Sequence, residues 1–208
     1  MSGSDLILKY FPDLSSEQIH ELVTYSTLQR QWNLKINLIS RKDIDHLSER
    51  HILPSLSIKK AINIPPGSTM LDVGTGGGFP GIPLAILHPE VTFHLIDSVG
   101  KKVRAVKSIT NSLELKNVSV QKIRAEELHE KYDFVTGRAV KDLRTFSNWV
   151  KGNLKRNKEQ QCTGGILYLK GGNAKSDEKI PGFKSKIYPL SQFFDEPFFE
   201  SKYLVHLS

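Results

Sequence analysis

Two carboxylates and a run of glycines are the residues of this chain best suited by type and spacing to do chemistry. The run Leu71-Asp72-Val73-Gly74-Thr75-Gly76-Gly77-Gly78-Phe79-Pro80-Gly81 joins a short apolar stretch to a segment whose start is marked by Pro80 and Pro83. Glycine has no Cβ and tolerates positive φ, so such a run lets a ligand come close to the backbone. Gly76, Gly78 and Gly81 also satisfy the G-x-G-x-x-G spacing of dinucleotide-binding loops. Asp72, two places before Gly74, separates the two cases. A loop that cradles a pyrophosphate gains nothing from a carboxylate there. Adenosylmethionine carries an ammonium and a sulfonium but no phosphate, so a carboxylate at a strand tip attracts its cationic end, directly or through a water. Asp97 closes the next apolar stretch about 20 residues beyond Gly78, the offset at which an acidic residue reaches a ribose hydroxyl. Asp97 or Ser98 is also a natural cap for the helix that follows, and one residue can do both.

Two further turns belong with these. Arg124-Ala125-Glu126-Glu127 follows a third apolar stretch, at the place that lies beside the adenine in adenosine-binding folds. Backbone groups of Ala125 and Glu126 are expected to face the ring; the competing reading is a helix cap with acids in its first turn. Gly137-Arg138-Ala139 follows a fourth stretch, and an arginine at the carboxyl end of a central strand lies at the ligand crevice. It is expected to anchor a phosphate or the cofactor's carboxylate. The alternative is a salt bridge to Asp72 or Glu126.

Some chemistries are excluded by what is missing. Methylation of an exocyclic amine usually goes with Asn/Asp-Pro-Pro-Tyr/Phe after the fourth strand, where this chain has Thr136-Gly137-Arg138-Ala139-Val140. Methylation at pyrimidine carbon 5 needs a cysteine near the crevice, and the single cysteine, Cys162, lies before the fifth strand. The 7 histidines show no paired metal-ligand spacing, so no metal is expected. An acceptor that needs little activation remains. Guanine N7, a bare lone pair on the major-groove edge, is one. Transfer to it would rest on proximity and orientation, with no catalytic side chain assigned.

These residues need a scaffold that sets strand tips beside one another. From Thr69 onward apolar strands and helices alternate: strands at Thr69–Val73, Thr92–Asp97, Val118–Ile123, Tyr132–Thr136 and Gly165–Lys170, with helices at Lys101–Leu115 and Leu143–Leu154. Alternation of this kind predicts a parallel sheet covered on both faces. Lys186–Leu190 and Lys202–Leu207 follow without an intervening helix and predict an antiparallel pair at the sheet edge. The fold expected is α/β and Rossmann-like, a mostly parallel seven-stranded sheet with an antiparallel edge strand. Residues 65–208 form this part, and residues 1–64, before the Pro65-Pro66-Gly67 turn, form a helical extension. In the extension Ser15 and Gln18 make a capping box, and a second helix fits Asp43 to about Leu53, ended or kinked by Pro54.

Charge points to the partner. The chain has 29 Lys+Arg against 22 Asp+Glu, a net +7, which favours a polyanion over a bland surface only when its distribution is considered. Residues 30–60 hold Arg30, Lys35, Arg41, Lys42, Arg50, Lys59 and Lys60 against Asp43, Asp45 and Glu49. Lys101, Lys102, Arg104 and Lys107 have no nearby acid, and residues 151–175 hold Lys151, Lys155, Arg156, Lys158, Lys170 and Lys175 against Glu159. The longest apolar run, Gly81–Leu87, is far below the roughly 18 residues of a membrane span. With one cysteine and no signal pattern, a cytoplasmic monomer without membrane contact is expected.

The same residues carry a family resemblance. Trp32-Asn33 with Asn37-Leu38, Arg50-His51-Ile52-Leu53, Asp72 through Pro83, Asp97-Ser98 with Gly100-Lys101-Lys102, Arg138-Ala139 and Leu169-Lys170-Gly171 resemble the glucose-inhibited division protein B family, the small-subunit ribosomal RNA methyltransferase G enzymes. The Gly-Phe-Pro-Gly-Ile-Pro extension is more specific than the loop itself. The resemblance spans about residues 28–171 and implies an adenosylmethionine-dependent enzyme acting on guanine N7 of 16S ribosomal RNA. It also implies cofactor contacts at Gly74, Phe79, Ala125, Glu126 and Arg138. The chain departs from the family pattern at Pro54, where an acid is expected, at Val140-Lys141, and in a short C-terminus without a basic tail. The rival readings are methylation of another RNA base or a small molecule, a non-catalytic nucleic-acid-binding module, and a nicotinamide oxidoreductase.

Overall fold

Apolar side chains alternate along the strands, and that alternation fixes which groups reach which face. The structure, a computed structural model, describes residues 2–155, 164–172 and 179–208. Cys162, Arg156, Lys158, Glu159 and Lys175 lie outside the described residues.

Two helices open the chain, α1 (Gly3–Tyr10) and α2 (Ser16–Asn33), each begun by a reciprocal capping box, Ser2 with Asp5 and Ser15 with Gln18. A short 3-10 turn at Ile44–His46 leads into a wide turn, Ser48–Ile52, and then α3 (Leu53–Ala61). The predicted helix from Asp43 to about Leu53 is therefore replaced by two irregular turns, and the regular helix runs on through Pro54. The reason is local. Proline has no N–H for the carbonyl four residues back, and its ring crowds that carbonyl. Here that carbonyl belongs to Arg50. The turn before Pro54 widens, and Leu53 N–H bonds to Ser48 O, one residue beyond an α-helical partner.

The remaining elements are β1 (Thr69–Val73), α4 (Gly81–Leu87), β2 (Thr92–Asp97), α5 (Gly100–Ser112), β3 (Val118–Lys122), β4 (Phe134–Arg138), α6 (Leu143–Val150), β5 (Gly165–Gly171), β6 (Ser185–Pro189) and β7 (Lys202–Leu207). They form one seven-stranded sheet in the order β3-β2-β1-β4-β5-β7-β6. The first five strands are parallel, and β7 runs antiparallel between β5 and β6. The expected Rossmann-like sheet is present, with its reversed strand second from the edge and β6 outermost. Strand order reverses between β1 and β4, the point at which ligands bind in open α/β sheets.

Met70, Phe93, Leu95, Phe134, Leu167 and Leu204 face a cluster that includes Ile7, Leu22, Tyr25, Leu53 and Ile58 from the first 64 residues. Leu71, Val73, Val135, Ile166, Tyr168 and Val205 face the other cluster with Phe146 and Val150 of α6. Full burial of a side chain such as Leu22 contributes about 1.5–3 kcal/mol. By the period of two, Asp72, Thr136 and Arg138 share the face that the N-terminal helices cover. Among the described residues, no helix is long and apolar enough to cross a membrane.

Candidate functional site

The loop after β1 is held from three directions. Thr75 N–H bonds to Ile96 O at 3.0 Å, and Gly76 N–H to Asp97 Oδ2 at 3.1 Å, which tie it to β2. Asp72 Oδ2 accepts from the Thr75 hydroxyl at 2.6 Å and from Gly81 N–H at 3.1 Å, which tie its start to its end. From α2, the Tyr25 hydroxyl donates to Gly77 O at 2.9 Å, and Gln29 Nε2 donates to the same oxygen.

The glycines divide by what their missing side chains would meet. Gly74, Gly76 and Gly78 have φ of 67°, 59° and 101°. A Cβ at Gly74 would lie 2.9 Å from Val140 Cγ2, and one at Gly78 would lie 2.5 Å from Ile82 Cδ1. At Gly81 it would be 2.8 Å from Asp72 Oδ2. These three are glycines because protein is packed against them. At Gly76 the nearest atom is Gly74 O, 3.9 Å away, so Gly76 alone of the four faces open space. That open face lies beside Asp97, whose carboxylate holds the Gly76 N–H.

Asp72 lies beneath the loop, fully buried, rather than on its surface. Burial pushes its pKa up to about 6, against the opposing hydrogen bonds from Thr75 and Gly81. Its Oδ1 is buried with no hydrogen-bond partner among the described residues. Asp97 Oδ1 accepts from Val99 N–H at 2.8 Å, so its carboxylate spans the glycine loop and the entry to α5. Neither Asp97 nor Ser98 is the N-cap; Val99 holds that place without a side-chain bond, and Ser98 is exposed beside it. Ala125 is buried and Glu126 exposed in a 3-10 turn at Ala125–Glu127. The turn's own bonds use the N–H groups of Glu127 and Leu128. Phe79 is buried and packs against Tyr25 and His51, with ring centroids 5.1 and 5.2 Å away.

Arg138 ends β4 against these groups. Its guanidinium lies 5.1 Å from the Phe79 ring centre, donates to His51 Nδ1 at 2.7 Å, and makes a long 3.5 Å bond to Arg50 O. No salt bridge to Asp72 or Glu126 is found among the described residues, so that alternative is not what places it. Because arginine only donates, His51 must accept through Nδ1 and carry its proton on Nε2. Burial, followed by the Arg138 charge, lowers the His51 pKa to about 3. Pro54 is what frees the Arg50 carbonyl for Arg138, since it offers no N–H to that oxygen.

Beside Arg138 opens a cleft of about 340 Å³, within the size range of small-ligand sites. Its walls include Asp43, Arg50, His51, Arg138, Phe198 and Lys202. Of the predicted site residues only Arg138 reaches this cleft, and it forms the wall between the cleft and Phe79 of the loop.

The basic segments are only partly free. Arg30 pairs with Asp45, Arg50 with Asp43, and Lys155 with Asp133. On α5, Lys101, Arg104 and Lys107 are exposed at three-residue spacing, forming a basic stripe. Sequence reasoning missed Tyr25 and Gln29. They stand one helical turn apart next to Leu22, so two polar residues on the buried face of α2 were the available signal.

A parallel sheet that reverses order beside a glycine loop, with an acid at the tip of each of its first two strands, defines a Rossmann-like methyltransferase. Comparison with known proteins agrees. Among solved structures, a SAM-dependent methyltransferase from Aquifex aeolicus superposes with a TM-score of 0.58 at 18% identity, covering 81% of this chain and 98% of that one. The family model for rRNA small subunit methyltransferase G matches residues 18–186. Ribosomal RNA small subunit methyltransferase G of Christiangramia forsetii is 51% identical over 98% of this chain and 96% of its own length. That of Flavobacterium johnsoniae is 48% identical over 98% and 97%. The chain belongs to the rRNA small subunit methyltransferase G family.

Proposed function

We propose that this protein transfers a methyl group from adenosylmethionine to N7 of a guanine in 16S ribosomal RNA of the small subunit, acting in the cytoplasm as a monomer. The observation that carries the reading is the open face of Gly76 in a loop whose other glycines are packed against protein. Adenosylmethionine supplies a methyl group on a sulfonium, reactive enough for a neutral nitrogen lone pair.

Gly74, Gly76 and Gly78 shape the cradle, and the ribose is assigned to Asp97 with Ser98, a reading supported by the Asp97 carboxylate lying against Gly76 N–H and by the exposure of Ser98. A carboxylate has about four acceptor sites, so Asp97 keeps capacity after serving Gly76 and Val99. Ala125 and Glu126 offer backbone N–H groups that their own turn does not use. Asp72 lends negative charge from below, and Phe79 seats Arg138, the half-buried cation of the site. The lysines and arginine exposed on α5 attract the phosphate backbone. Guanine N7 carries no proton, so no side chain is assigned as a base.

The test is incubation with methyl-labelled adenosylmethionine and either naked small-subunit RNA or the assembled particle, followed by mass-spectrometric mapping. One 7-methylguanine is expected. Label on another base, or none on either substrate, overturns the reading.

A further inference from the structure

The cleft beside Arg138 contains a donor and an acceptor side by side. Asp43 is the one acid among its lining residues, and Asp43 Oδ1 lies 2.7 Å from Arg50 Nη1. The Ser40 hydroxyl fixes the other carboxylate oxygen at 2.7 Å. Of the Arg50 guanidinium only Nη1 has a hydrogen-bond partner among the described residues, so its pairing with Asp43 leaves donors unused. Phe198 lies 5.6 Å from the Arg50 guanidinium and 4.7 Å from Lys202 Nζ, and Leu169, Leu190 and Tyr203 complete an apolar, partly aromatic wall. The Arg50 carbonyl is itself bound by Arg138, which joins the pair to the cofactor side of the site.

We propose that Asp43 and Arg50 read the acceptor base as a pair, an inference that rests on the methyl-transfer reading above. Guanine presents an acceptor, O6, next to a donor, N1–H. Adenine presents the reverse, an amino donor next to an N1 acceptor. A guanidinium beside a carboxylate complements guanine and opposes adenine at both atoms. N7 has to stay free of hydrogen bonds if its lone pair is to react, so O6 is the one acceptor of that edge left to recognise. The carboxylate has a second use. Methylation at N7 leaves a positive charge on the ring, and a lone guanidinium at O6 would oppose it. Asp43 supplies the compensating charge within the same contact. Flat apolar walls suit a stacked purine, and Lys202 at the cleft wall suits its phosphate.

The test uses the full-length protein and small-subunit RNA ligated to carry guanosine, inosine or 2-aminopurine at the mapped position. Inosine keeps O6 and N1–H; 2-aminopurine has neither. Single-turnover rates are measured for the wild type, Asp43→Asn and Arg50→Met. Wild-type rates on inosine should stay close to those on guanosine and fall roughly 10- to 100-fold on 2-aminopurine. Arg50→Met should lose a similar factor on guanosine and little more on 2-aminopurine, because the contact is already gone. The ratio between bases is unmoved by a general loss of fold. Variants that slow all three bases equally, or a wild type indifferent to 2-aminopurine, overturn the inference and leave the pair as an anchor for its segment. No transfer to guanosine RNA by the wild type would instead overturn the methyl-transfer reading itself.

Discussion

The glycine loop after β1 and the segment from Asp43 to Pro54 face each other across Arg138, and they are built in opposite ways. The loop closes on itself within one stretch of sequence, where Asp72 bonds to Thr75 and Gly81 and left-handed glycines turn the chain between them, and β2 and α2 then brace it. The segment has little regular structure of its own, and its key contact runs to Arg138, 87 residues from His51. A locally determined cradle can be read from one stretch of letters. An assembled wall acquires its meaning only when strand order brings β4 to it. The two should therefore fail differently when altered.

The largest effect is expected at Gly76. Gly76→Val fills the one open face of the loop and should abolish detectable binding of adenosylhomocysteine by calorimetry. The left-handed φ of 59° adds about 1–2 kcal/mol of destabilisation, so the fold should persist. Wild-type affinity in this variant would show that the ligand does not use the loop.

Arg138→Ala comes next because both regions lose their shared group. Turnover should fall by about a hundredfold, in line with removal of a charge-assisted contact of order 2–3 kcal/mol. A variant with normal turnover but a sharply lower melting temperature would make Arg138 purely structural.

Asp72→Asn separates charge from shape. The folded pKa of Asp72, about 6, lies above the ordinary aspartate value of 3.8, so the folded state holds the proton more tightly. Its contribution to stability is full below pH 4 and is lost as pH rises through about 6. The amide should remove that decline, leaving stability at pH 7 equal to or above that of the wild type. Cofactor affinity should drop about tenfold, roughly 1.4 kcal/mol, if the carboxylate attracts a cation. Unchanged affinity would confine Asp72 to holding the loop.

Tyr25→Phe tests the bracing from α2. Loss of one buried hydrogen bond costs about 0.5–1.5 kcal/mol, and a loosened Gly77 should weaken cofactor binding a few-fold. Equal binding with lower stability would uncouple the helix from the site. The smallest effect is expected from pH. His51, lowered to about 3, is neutral throughout ordinary buffers. Its stabilising neutral form is lost only as pH falls from about 6.5 toward 3. Single-turnover rates should then be nearly flat from about pH 6.5 to 8.5, a window clear of ordinary lysine titration. A tenfold rise per unit would reveal a titrating base.

What was legible in the sequence follows the same division. The strands, the glycine loop and the strand-end places of Asp72, Asp97 and Arg138 are readable, because period-two apolarity and glycine spacing are local signals, whereas the burial of Asp72 beneath the loop is not. The insertion of β7 between β5 and β6 was not, since pairing order depends on contacts between distant segments. Nor was the open face at Gly76 distinguishable from its neighbours: whether a glycine meets a ligand or Ile82 is a tertiary fact. The sequence predicts a helix from Asp43 to about Leu53 and not the irregular turn found there, because a proline's effect on a carbonyl four residues earlier depends on what else can bind that oxygen.

That oxygen gives Pro54 a reach beyond its own helix. An ordinary residue there would return an N–H to the Arg50 carbonyl, and Arg138 would have a competitor for the same acceptor. Two positions 84 residues apart, which need not touch, thus share one atom's lone pairs. Among relatives they should covary: where the proline is absent, the arginine at the end of β4 should sit differently or lean on another partner. A change that looks like an isolated helix substitution would then be tolerated in one lineage and damaging in another.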